Sequence, residues 1–301
     1  MRKVVLTILI LISGAAIWYF WIKKYDYEIT FRANAAPGSV YQQVKSLKSK
    51  KDSITPGYVR LIDTILFKNV TQLTKIKGEE VLLDWTFTSI HDTISNVTVG
   101  IVARNNVIKH RLEVLTGSSS IVKTVKKDII DFRKRLKYYT NRFQVVIQGE
   151  ENSPALEGLI ISSETKRYKK ANEMMRSNAY LHPKLLEYRI QKKGYPFVKI
   201  NHWNKSTDSI QLYFGFPAQY QDSLPIETDI SYKKLVSQKS LKATYYGNYR
   251  TSDEAWFTLL EYAQKNNIKV KPEPLEIFYN NPMQGGDELQ WKAEIFLPVV
   301  Q

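Results

Sequence analysis

A continuous apolar run near the N-terminus, residues 4–22, constrains the fold of this chain more than any other stretch. It reads VVLTILILISGAAIWYFWI, carries no charged residue, and lies between the basic pairs at residues 2–3 and 23–24. At about 1.5 Å per residue, a helix of this length crosses the hydrocarbon core of a membrane. We therefore predict a transmembrane anchor in residues 1–24.

The residues at the C-terminal end of the run help to distinguish a membrane anchor from a cleaved signal peptide. Trp18, Tyr19 and Trp21 lie at its C-terminal end, where an interfacial aromatic belt belongs. A cleaved signal peptide is the alternative, with the small residues at 14–16 as its cleavage site, but residues 17–22 would then leave an apolar mature terminus. We expect a single-pass membrane protein. Because basic residues flank both ends, only the short N-terminal tail favours soluble domains outside the cytoplasm.

Composition narrows the class of the remaining chain. The 301 residues are 43% hydrophobic and include no cysteine, so two cored domains fit, while disulfides, thiolate catalysis and cysteine-based zinc sites are excluded. The net charge of +15, with 19 Tyr and 12 Phe, could suit nucleic acid, yet no helix-turn-helix or RNP-like run is present. We interpret the charge as a lysine-rich surface near anionic lipid and expect no direct nucleic-acid partner.

Residues 25–143 are predicted to form one compact α+β unit. A short helix opened by Pro37 covers residues 40–44. Strand-like runs cover residues 27–33, 59–67, 72–76, 80–90, 95–103 and 107–116. A long amphipathic helix closes the unit, and its apolar stripe comprises Ile121, Val125, Ile129, Ile130, Phe132, Leu136 and Tyr139. This order of elements, with the opening phrase at residues 29–44, is similar to the START-like (SRPBCC, polyketide cyclase type) helix-grip fold. That resemblance implies a curved sheet wrapped around the last helix and an apolar cavity.

The last sixty residues repeat a pattern seen earlier in residues 144–218. A strand at 241–246, a helix from Thr251 or Ser252, and strands at 276–279 and 290–297 predict a helix across one face of a small antiparallel sheet. The earlier stretch shows a strand at 156–162, helical residues at 168–191 broken near His182-Pro183, and strands at 195–202 and 209–216. Residues 209–218 align with 290–299, since each strand ends in an apolar residue, Pro and a small residue. We predict a duplicated β-α-β-β domain over residues 144–301.

Three phrases in this region carry a second resemblance. Residues 246–249 read Tyr-Gly-Asn-Tyr, residues 277–282 read Ile-Phe-Tyr-Asn-Asn-Pro, and residues 291–299 read Trp-Lys-Ala-Glu-Ile-Phe-Leu-Pro-Val. They resemble the GyrI-like (AraC-type) effector-binding domain, the ligand-sensing half of many bacterial multidrug-responsive transcription activators. The resemblance implies that residues 144–301 bind small molecules in a pocket shared by two repeats.

Glu294 is the principal candidate site residue. It occupies the position where the GyrI-like family has a carboxylate at the base of its ligand pocket, and a carboxylate among aromatic rings suits an organic cation. The alternative comes from simple alternation, which puts Leu289, Trp291, Ala293, Ile295 and Leu297 on one strand face and leaves Glu294 on the other, solvated. Both interpretations stay open from the residues alone.

Five aromatic residues are the candidates for the pocket wall. The resemblance implies that the aromatic of the Gly-x-Tyr turn and the tyrosine before Asn-Asn-Pro face the ligand. The ligand-binding candidates are Glu294, Tyr249, Tyr279, Trp291, Tyr213 and Phe214. Trp256 lies on the apolar stripe of its helix, so we expect it to pack in the core.

The sequence offers little for catalysis. The four histidines are isolated, and no nucleophile elbow, P-loop or dinucleotide fingerprint is present, so we expect no metal and no cofactor. The leading hypothesis is a membrane-anchored sensor that binds apolar or cationic small molecules. Two alternatives remain, a hydrolase of reactive small molecules that uses Glu294 as its catalytic residue and a module that captures a protein partner. Residues 165–206 carry 11 basic and two acidic residues, which makes the first repeat the expected face toward an anionic surface.

Overall fold

A computed structural model describes residues 2–47, 59–220 and 229–300 of the chain. The chain divides into two compact units, Met1–Ile90 with Ile94–Lys137, and His91–Thr93 with Tyr138–Gln301. The predicted boundary between residues 143 and 144 falls a few residues after the end of the first unit.

The chain begins with an exposed apolar helix. Helix α1 (Arg2–Ile17) continues into a π-helical turn at Trp18–Ile22, and no residue of α1 is buried. The segment Arg2–Ile22 has a mean hydropathy of 2.2 and is, among the described residues, the one helix long and apolar enough to cross a membrane. By length and composition it fits the predicted anchor.

The first unit contains a five-stranded sheet, sheet 1, with strand order β1-β5-β4-β3-β2. Its strands are β1 (Tyr27–Ala33), β2 (Arg60–Ile65), β3 (Asn69–Ile76), β4 (Glu79–His91) and β5 (Ile94–Ala103). Its helices are α2 (Pro37–Lys45), α3 (Val107–Leu115) and α4 (Ser120–Thr140). The pairs β1–β5, β2–β3 and β3–β4 are antiparallel.

Helix α4 supplies much of the core of this unit. The buried α4 residues are Ile121, Val125, Ile129, Phe132 and Leu136, spaced three or four apart so that they share one helix face. They pack with residues of sheet 1 such as Val97 and Val99. Ile130, which was placed on this stripe, is exposed, because one residue after Ile129 the helix has turned by about 100°. The START-like relationship itself stays a prediction.

The predicted strand at residues 107–116 is wrong, because these residues form helix α3. Asn106 adopts the left-handed conformation, with a φ of 54°, and turns the chain out of sheet 1 after β5. Ile108, Leu112 and Leu115 then follow at intervals of four and three residues, which is a helical rather than an alternating period.

The second unit contains an eight-stranded sheet, sheet 2, with strand order β10-β7-β9-β8-β12-β13-β11-β6. The first four strands are β6 (Phe143–Asn152), β7 (Leu156–Lys166), β8 (Phe197–Asn204) and β9 (Ser209–Pro217). The other four are β10 (Ile230–Leu235), β11 (Lys239–Gly247), β12 (Leu275–Phe278) and β13 (Lys292–Pro298). Its long helices are α5 (Lys170–Glu187) and α6 (Glu254–Lys265). Neighbouring strands pair antiparallel throughout.

The strand order of sheet 2 is symmetric about its centre. The succession β7-α5-β8-β9 recurs as β11-α6-β12-β13, and the two meet where β8 pairs with β12 at Val198 and Glu276. Strands β6 and β10, which the sequence analysis did not assign, extend the symmetry. Each precedes one repeat in the chain but pairs with the other repeat, β6 with β11 and β10 with β7. Each repeat therefore lends an edge strand to its counterpart.

The predicted break near His182-Pro183 is also wrong, since α5 runs through Pro183. Proline removes one backbone hydrogen bond, to the carbonyl of Ala179, but that residue is exposed and its carbonyl can bond water. The buried Leu181 and Leu185 hold the helix against the sheet on either side of the proline.

Candidate functional site

The two faces of sheet 2 differ in what covers them. Glu276 of β12 contacts both helices, since its carboxylate accepts hydrogen bonds from Lys170 of α5 and Trp256 of α6. Side chains alternate along a strand, so the next residue, Ile277, lies on the opposite side of the sheet. Cross-strand partners share a side, and Glu294 pairs with Ile277. We call the side of Glu276 the helix face and the side of Glu294 the far face.

An apolar cluster occupies the centre of the far face. Its buried members are Ile160, Phe197, Leu275, Ile277 and Phe296, and Leu156, Tyr213, Leu235 and Tyr279 pack against them half-buried. Gly215 lies beneath this cluster, where a Cβ would come within 2.9 Å of the Phe197 ring and 2.7 Å of an Ile160 methyl group. A larger residue at position 215 would displace these side chains, so glycine lets them pack directly against β9. The cluster contains residues of both repeats, because Ile160 and Phe197 belong to the first and Ile277 and Phe296 to the second.

Glu294 lies at the margin of this cluster with three polar partners. Its carboxylate accepts a hydrogen bond of 2.8 Å from the hydroxyl of Tyr279, and it pairs with Lys292 Nζ at 2.8 Å and Lys242 Nζ at 3.6 Å. The side chains of Glu294 and Lys292 are 14% and 37% exposed. The ion pair of Glu294 and Lys292 is therefore within reach of solvent.

The surroundings fix the protonation states at this site. Burial raises the pKa of Glu294, but hydrogen bonds from Lys292 and Tyr279 and the charge of Lys242 outweigh it, so its pKa lies below the ordinary value of 4.5. Burial and the hydrogen bond to Glu294 raise the pKa of Tyr279. At neutral pH the site therefore holds a carboxylate and a neutral phenol. A carboxylate with a lowered pKa is a weak general base.

The ammonium group of Lys292 lies between an aromatic ring and a carboxylate. It lies 4.4 Å from the centroid of the Tyr279 ring while it pairs with Glu294. A ring face and a carboxylate that converge on one cation are the two attractions that bind organic cations. Lys242 is held separately, 2.9 Å from Glu151 and 5.3 Å from the Phe296 centroid. The two carboxylates, Glu151 and Glu294, and the two ammonium groups, Lys242 and Lys292, therefore sum to zero charge.

The Asn-Asn-Pro phrase explains how Tyr279 and Lys292 come together. The side-chain carbonyl of Asn280 accepts a hydrogen bond from the backbone N–H of Lys292 at 2.8 Å, and the N–H of Tyr279 donates to the carbonyl of Lys292 at 3.0 Å. Asn281 then caps the following turn through the N–H of Met283. These bonds tie the ends of β12 and β13 together, so the two side chains meet.

Three of the predicted site residues share the far face. Glu294 and Tyr279 are bonded directly, and Tyr213 packs against the apolar cluster. Tyr213 is also the residue that aligns with Glu294 in the first repeat, so the two equivalent positions carry a phenol and a carboxylate. The structure thus brings half of the predicted set to one surface.

Tyr249, Trp291 and Phe214 lie on the helix face instead. The ring of Tyr249 packs 4.8 Å from Phe278 and 6.0 Å from Trp291, and both side chains are buried. Phe214 is buried against Phe216. The structure does not bring these three residues to Glu294. Alternation puts Phe214 on the side opposite Tyr213 and Trp291 on the side opposite Lys292, whereas Tyr249 lies in the 3₁₀ turn Tyr249–Thr251 outside the strands.

Tyr249 nevertheless supports the far face from below. Its hydroxyl donates to the carbonyl of Lys292 at 2.7 Å and accepts from the N–H of Asn280 at 2.9 Å. The preceding Gly247 has a φ of 148°, and a Cβ there would lie 2.8 Å from that of Phe143. This glycine turn leads Tyr249 beneath the junction of β12 and β13.

Sequence reasoning missed several groups on the far face. The Tyr195 ring lies 4.6 Å from that of Tyr279, and Lys242 pairs with Glu294. Lys199, opposite Tyr213 in β8, has a pKa lowered by burial to about 8. Thr244, opposite Glu294 in β11, has a buried hydroxyl with no hydrogen-bond partner among the described residues. Lys242 and Thr244 could have been found from the pairing of β11 with β13, whereas Tyr195 lies in a loop and has no periodic signal.

A second glutamate–lysine pair lies on the helix face. Lys170 Nζ is 2.6 Å and 2.8 Å from the two oxygens of Glu276, and both side chains are fully buried. Ser252 and Trp256 also donate to Glu276, at 2.7 Å and 2.6 Å. The bonds of Lys170 join α5 of the first repeat to β12 of the second, whereas Ser252 and Trp256 belong to the same repeat as Glu276. The pair is a polar lock between repeats, and Trp256 is buried as predicted.

In the first unit, His110 lies between the carboxylate of Asp26 and the hydroxyl of Ser119 in a hydrogen-bonded series. Asp26 Oδ2 lies 3.2 Å from His110 Nδ1, and His110 Nε2 lies 3.1 Å from Ser119 Oγ. All three side chains are buried, Asp26 also pairs with Arg111, and the Ser119 hydroxyl accepts from the N–H of Val122 at the start of α4. The serine is thus a helix cap rather than an accessible nucleophile.

The sequence of residues 160–300 matches a known family. A family model described as "GyrI-like small molecule binding domain" matches residues 160–300. Residues 160–300 form a GyrI-like domain. The matched span covers both repeats of sheet 2 and leaves the first unit outside it. None of the curated proteins matches the chain.

Several solved structures are similar to part of this chain. A cryo-EM structure of an EcmrR–DNA complex has 12% identity and covers 65% of this chain and 72% of that chain, with a TM-score of 0.44. SAV2435 bound to tetraphenylphosphonium has 11% identity, coverage of 52% and 94%, and a TM-score of 0.39. A hydrolase from Listeria innocua has 11% identity, coverage of 56% and 98%, and a TM-score of 0.31. At such scores these likenesses add nothing to the family match.

Proposed function

We propose that this protein is a membrane-anchored receptor for small organic cations, which bind to the far face of its GyrI-like domain at Glu294 and Tyr279. One observation carries the proposal: the carboxylate of Glu294 and the ring of Tyr279 converge on an ammonium group, that of Lys292. The family match supports small-molecule binding as the general role.

The far face offers both attractions that a lipophilic cation needs. The charged centre of the ligand would pair with Glu294 and lie against the Tyr279 ring, with Tyr195 beside it. The apolar body of the ligand would lie against the neighbouring cluster around Ile277 and Phe296. A neutral apolar molecule would gain the second contribution only.

The cation in this receptor is exchangeable. Lys292 is more exposed than Glu294 and has a flexible four-carbon stem, so its ammonium can swing into water when a ligand arrives. Lys242 keeps Glu151 as a second partner and need not move. Binding would therefore replace one cation by another, with little change in the charge balance of the site.

The anchor and the first unit complete the proposal. Residues 2–22 would hold the protein in the membrane as a single-pass span, with the domains outside the cytoplasm. The first unit would be a START-like module, on the strength of its closing helix α4 packed against sheet 1. A receptor in this position would sense or sequester lipophilic compounds close to the bilayer in which they partition.

Calorimetry on the full-length chain in nanodiscs tests the function. Tetraphenylphosphonium is the lipophilic cation, triphenylphosphine oxide the neutral probe, and empty nanodiscs give the membrane background. We expect the cation to bind the parent, and Glu294→Gln to weaken that binding by about tenfold or more because the ion pair is lost. The neutral probe should bind both forms alike.

Glu151→Gln is the matched control. It removes a neighbouring carboxylate that shares Lys242 but does not contact Tyr279 or Lys292 in any described bond. Its affinity for the cation should stay within about twofold of the parent. Equal binding of the cation to the parent and to Glu294→Gln, with both folded, would exclude Glu294 as the receptor.

A further inference from the structure

Helix α3 has its polar and apolar faces reversed relative to an ordinary surface helix. Its buried residues are His110 and Arg111, whereas Ile108, Leu112 and Leu115 are 51%, 49% and 60% exposed. Their spacing of four and three residues puts the exposed apolar side chains on one stripe. A helix at a water-facing surface buries its apolar stripe and exposes its polar one. We therefore expect the apolar stripe of α3 to be covered by an apolar partner.

Bonds fix α3 to the end of the N-terminal span. The guanidinium of Arg111 donates to the carbonyl of Lys23 at 2.7 Å and to the carbonyl of Tyr19, and the hydroxyl of Tyr19 donates back to the carbonyl of Arg111 at 3.2 Å. The same guanidinium pairs with the buried Asp26 at 2.7 Å. Helix α3 therefore lies at the level where the apolar segment Arg2–Ile22 ends.

That level corresponds to a membrane interface if the span is inserted. Trp18 and Trp21, both exposed, lie in the same last turns of the span. Tryptophan at the end of a span marks the headgroup region. A helix bonded to these turns has lipid beside it, and its apolar stripe continues the apolar surface of the span.

We propose that α3 is an interfacial helix, with Ile108, Leu112 and Leu115 inserted at the boundary between lipid headgroups and acyl chains. The proposal rests on the proposed membrane anchor. Such helices bury their apolar face about 5–10 Å into the boundary, with basic side chains at the phosphates. Lys24 and Lys109 are exposed at this level, and each is paired with a carboxylate, Lys24 with Asp84 at 3.0 Å and Lys109 with Glu113 of α3 at 3.9 Å.

The consequence is a fixed orientation of the first unit on the bilayer. A single span leaves the attached domain free to rotate and tilt about its connection. A second contact through α3, bonded to the span by Arg111, removes that freedom. The first unit would thus present the same side to the membrane at all times.

Because the chain has no cysteine, single labelled positions test this directly. Full-length variants Leu112→Cys, Ile12→Cys and Ile130→Cys would each carry an environment-sensitive NBD label in vesicles of phosphatidylcholine and phosphatidylglycerol. Nitroxide lipids, labelled near the headgroup or near the acyl tail, then quench the label according to its depth. All three parent residues are exposed, so the label does not disturb a core.

We expect a blue-shifted label at position 112 that is quenched most by the shallow nitroxide. The label at position 12 should be quenched most by the deep nitroxide, and the label at position 130, an exposed isoleucine of α4, should resemble one in water. Quenching at 12 with a water-like signal at 112 overturns the interfacial helix and leaves the anchor standing. A blue-shifted but unquenched label at 112 means a protein covers the stripe, which also overturns it. Absence of quenching at 12 removes the anchor and the proposal together.

Discussion

The two faces of sheet 2 carry the same trio of side chains in different surroundings. On the helix face, Trp256 donates to Glu276 while Lys170 pairs with that glutamate and lies 4.8 Å from the indole centroid. On the far face, Tyr279 donates to Glu294 while Lys292 pairs with it and lies 4.4 Å from the phenol centroid. The chemistry is the same, but the first trio is sealed from water and the second is not.

This difference in burial distinguishes a structural lock from the proposed binding site. A buried charge that loses its partner has no water to replace it, so the lysine of the helix face stays where it is. A half-exposed ammonium exchanges its partner for water at little cost. We infer that the helix face holds the two repeats together, and that the far face can trade its own cation for a ligand.

The largest expected effect is on stability, from Glu276→Gln. This change leaves Lys170 charged and buried without a counter-ion, so we expect a loss of about 3–5 kcal/mol in the free energy of unfolding. Urea unfolding of the full-length chain, followed by tryptophan fluorescence, measures it. The matched change Glu294→Gln should cost only about 0–1 kcal/mol. Equal losses at the two positions would mean that burial does not distinguish the two trios.

The next effect is on the pH dependence of cation binding. The pKa of Glu294 is lowered, so the carboxylate stays charged above pH 4.5 and takes up its proton only as the pH falls through the lower folded value. The stability that its ion pairs contribute follows the same direction, present above pH 4.5 and lost below it. Affinity for a phosphonium, which has no titrating proton, should be constant from neutral pH to about 4.5, fall as the pH passes below the folded pKa, and level off at the affinity of Glu294→Gln. A decline that begins near neutral pH would assign binding to another group.

A smaller loss is expected from Tyr279→Phe. The ring face remains, but the hydrogen bond that orients Glu294 disappears, at a cost of about 1 kcal/mol or roughly a fivefold weaker cation affinity. Calorimetry with tetraphenylphosphonium measures it. Tyr246→Phe is the control, because no described bond joins that residue to Glu294. If both variants bind like the parent, the Tyr279 hydroxyl has no part in the site.

The smallest effect is a gain, from Lys292→Gln. Removing the resident ammonium should tighten cation binding by about two- to fivefold, the value of a partly exposed ion pair. The corresponding change on the helix face, Lys170→Gln, should weaken the fold and give no such gain. A weaker cation affinity in Lys292→Gln would show that the lysine assists the ligand rather than competes with it.

Much of the order of strands and helices in sheet 2 was predictable, because the spacing of apolar residues along the sequence shows which side of each element is buried. The strand-helix-strand-strand order of both repeats follows from alternating and helical runs, and resemblance picked out Glu294. Strands β6 and β10 escaped because both mix polar and apolar residues and both pair with the other repeat. Pattern also assigns lysine and glutamate to the surface, so it could not find Lys170 and Glu276, which are stable inside only because they meet.

The candidate site was only half predictable for a different reason. Resemblance names aromatic residues but not the side of the sheet to which they point, and Tyr249 and Trp291 share the helix face with Phe278. Lys292 lies beside Glu294 by simple alternation within β13, but the Tyr279 ring that completes the site follows β12, which only the fold brings beside β13. Helix α3 escaped because its stripe faces outward and short apolar runs are ambiguous between helix and strand.

The central claim is that a ligand cation and Lys292 compete for the same carboxylate, and a double-mutant cycle measures this. Tetraphenylphosphonium affinity is determined by calorimetry for the parent, Glu294→Gln, Lys292→Gln and the double variant, all full length in nanodiscs. We predict that Lys292→Gln tightens binding when Glu294 is present and has no effect when residue 294 is glutamine. The same gain in both backgrounds would contradict the account, because Lys292 would then act on the ligand without Glu294.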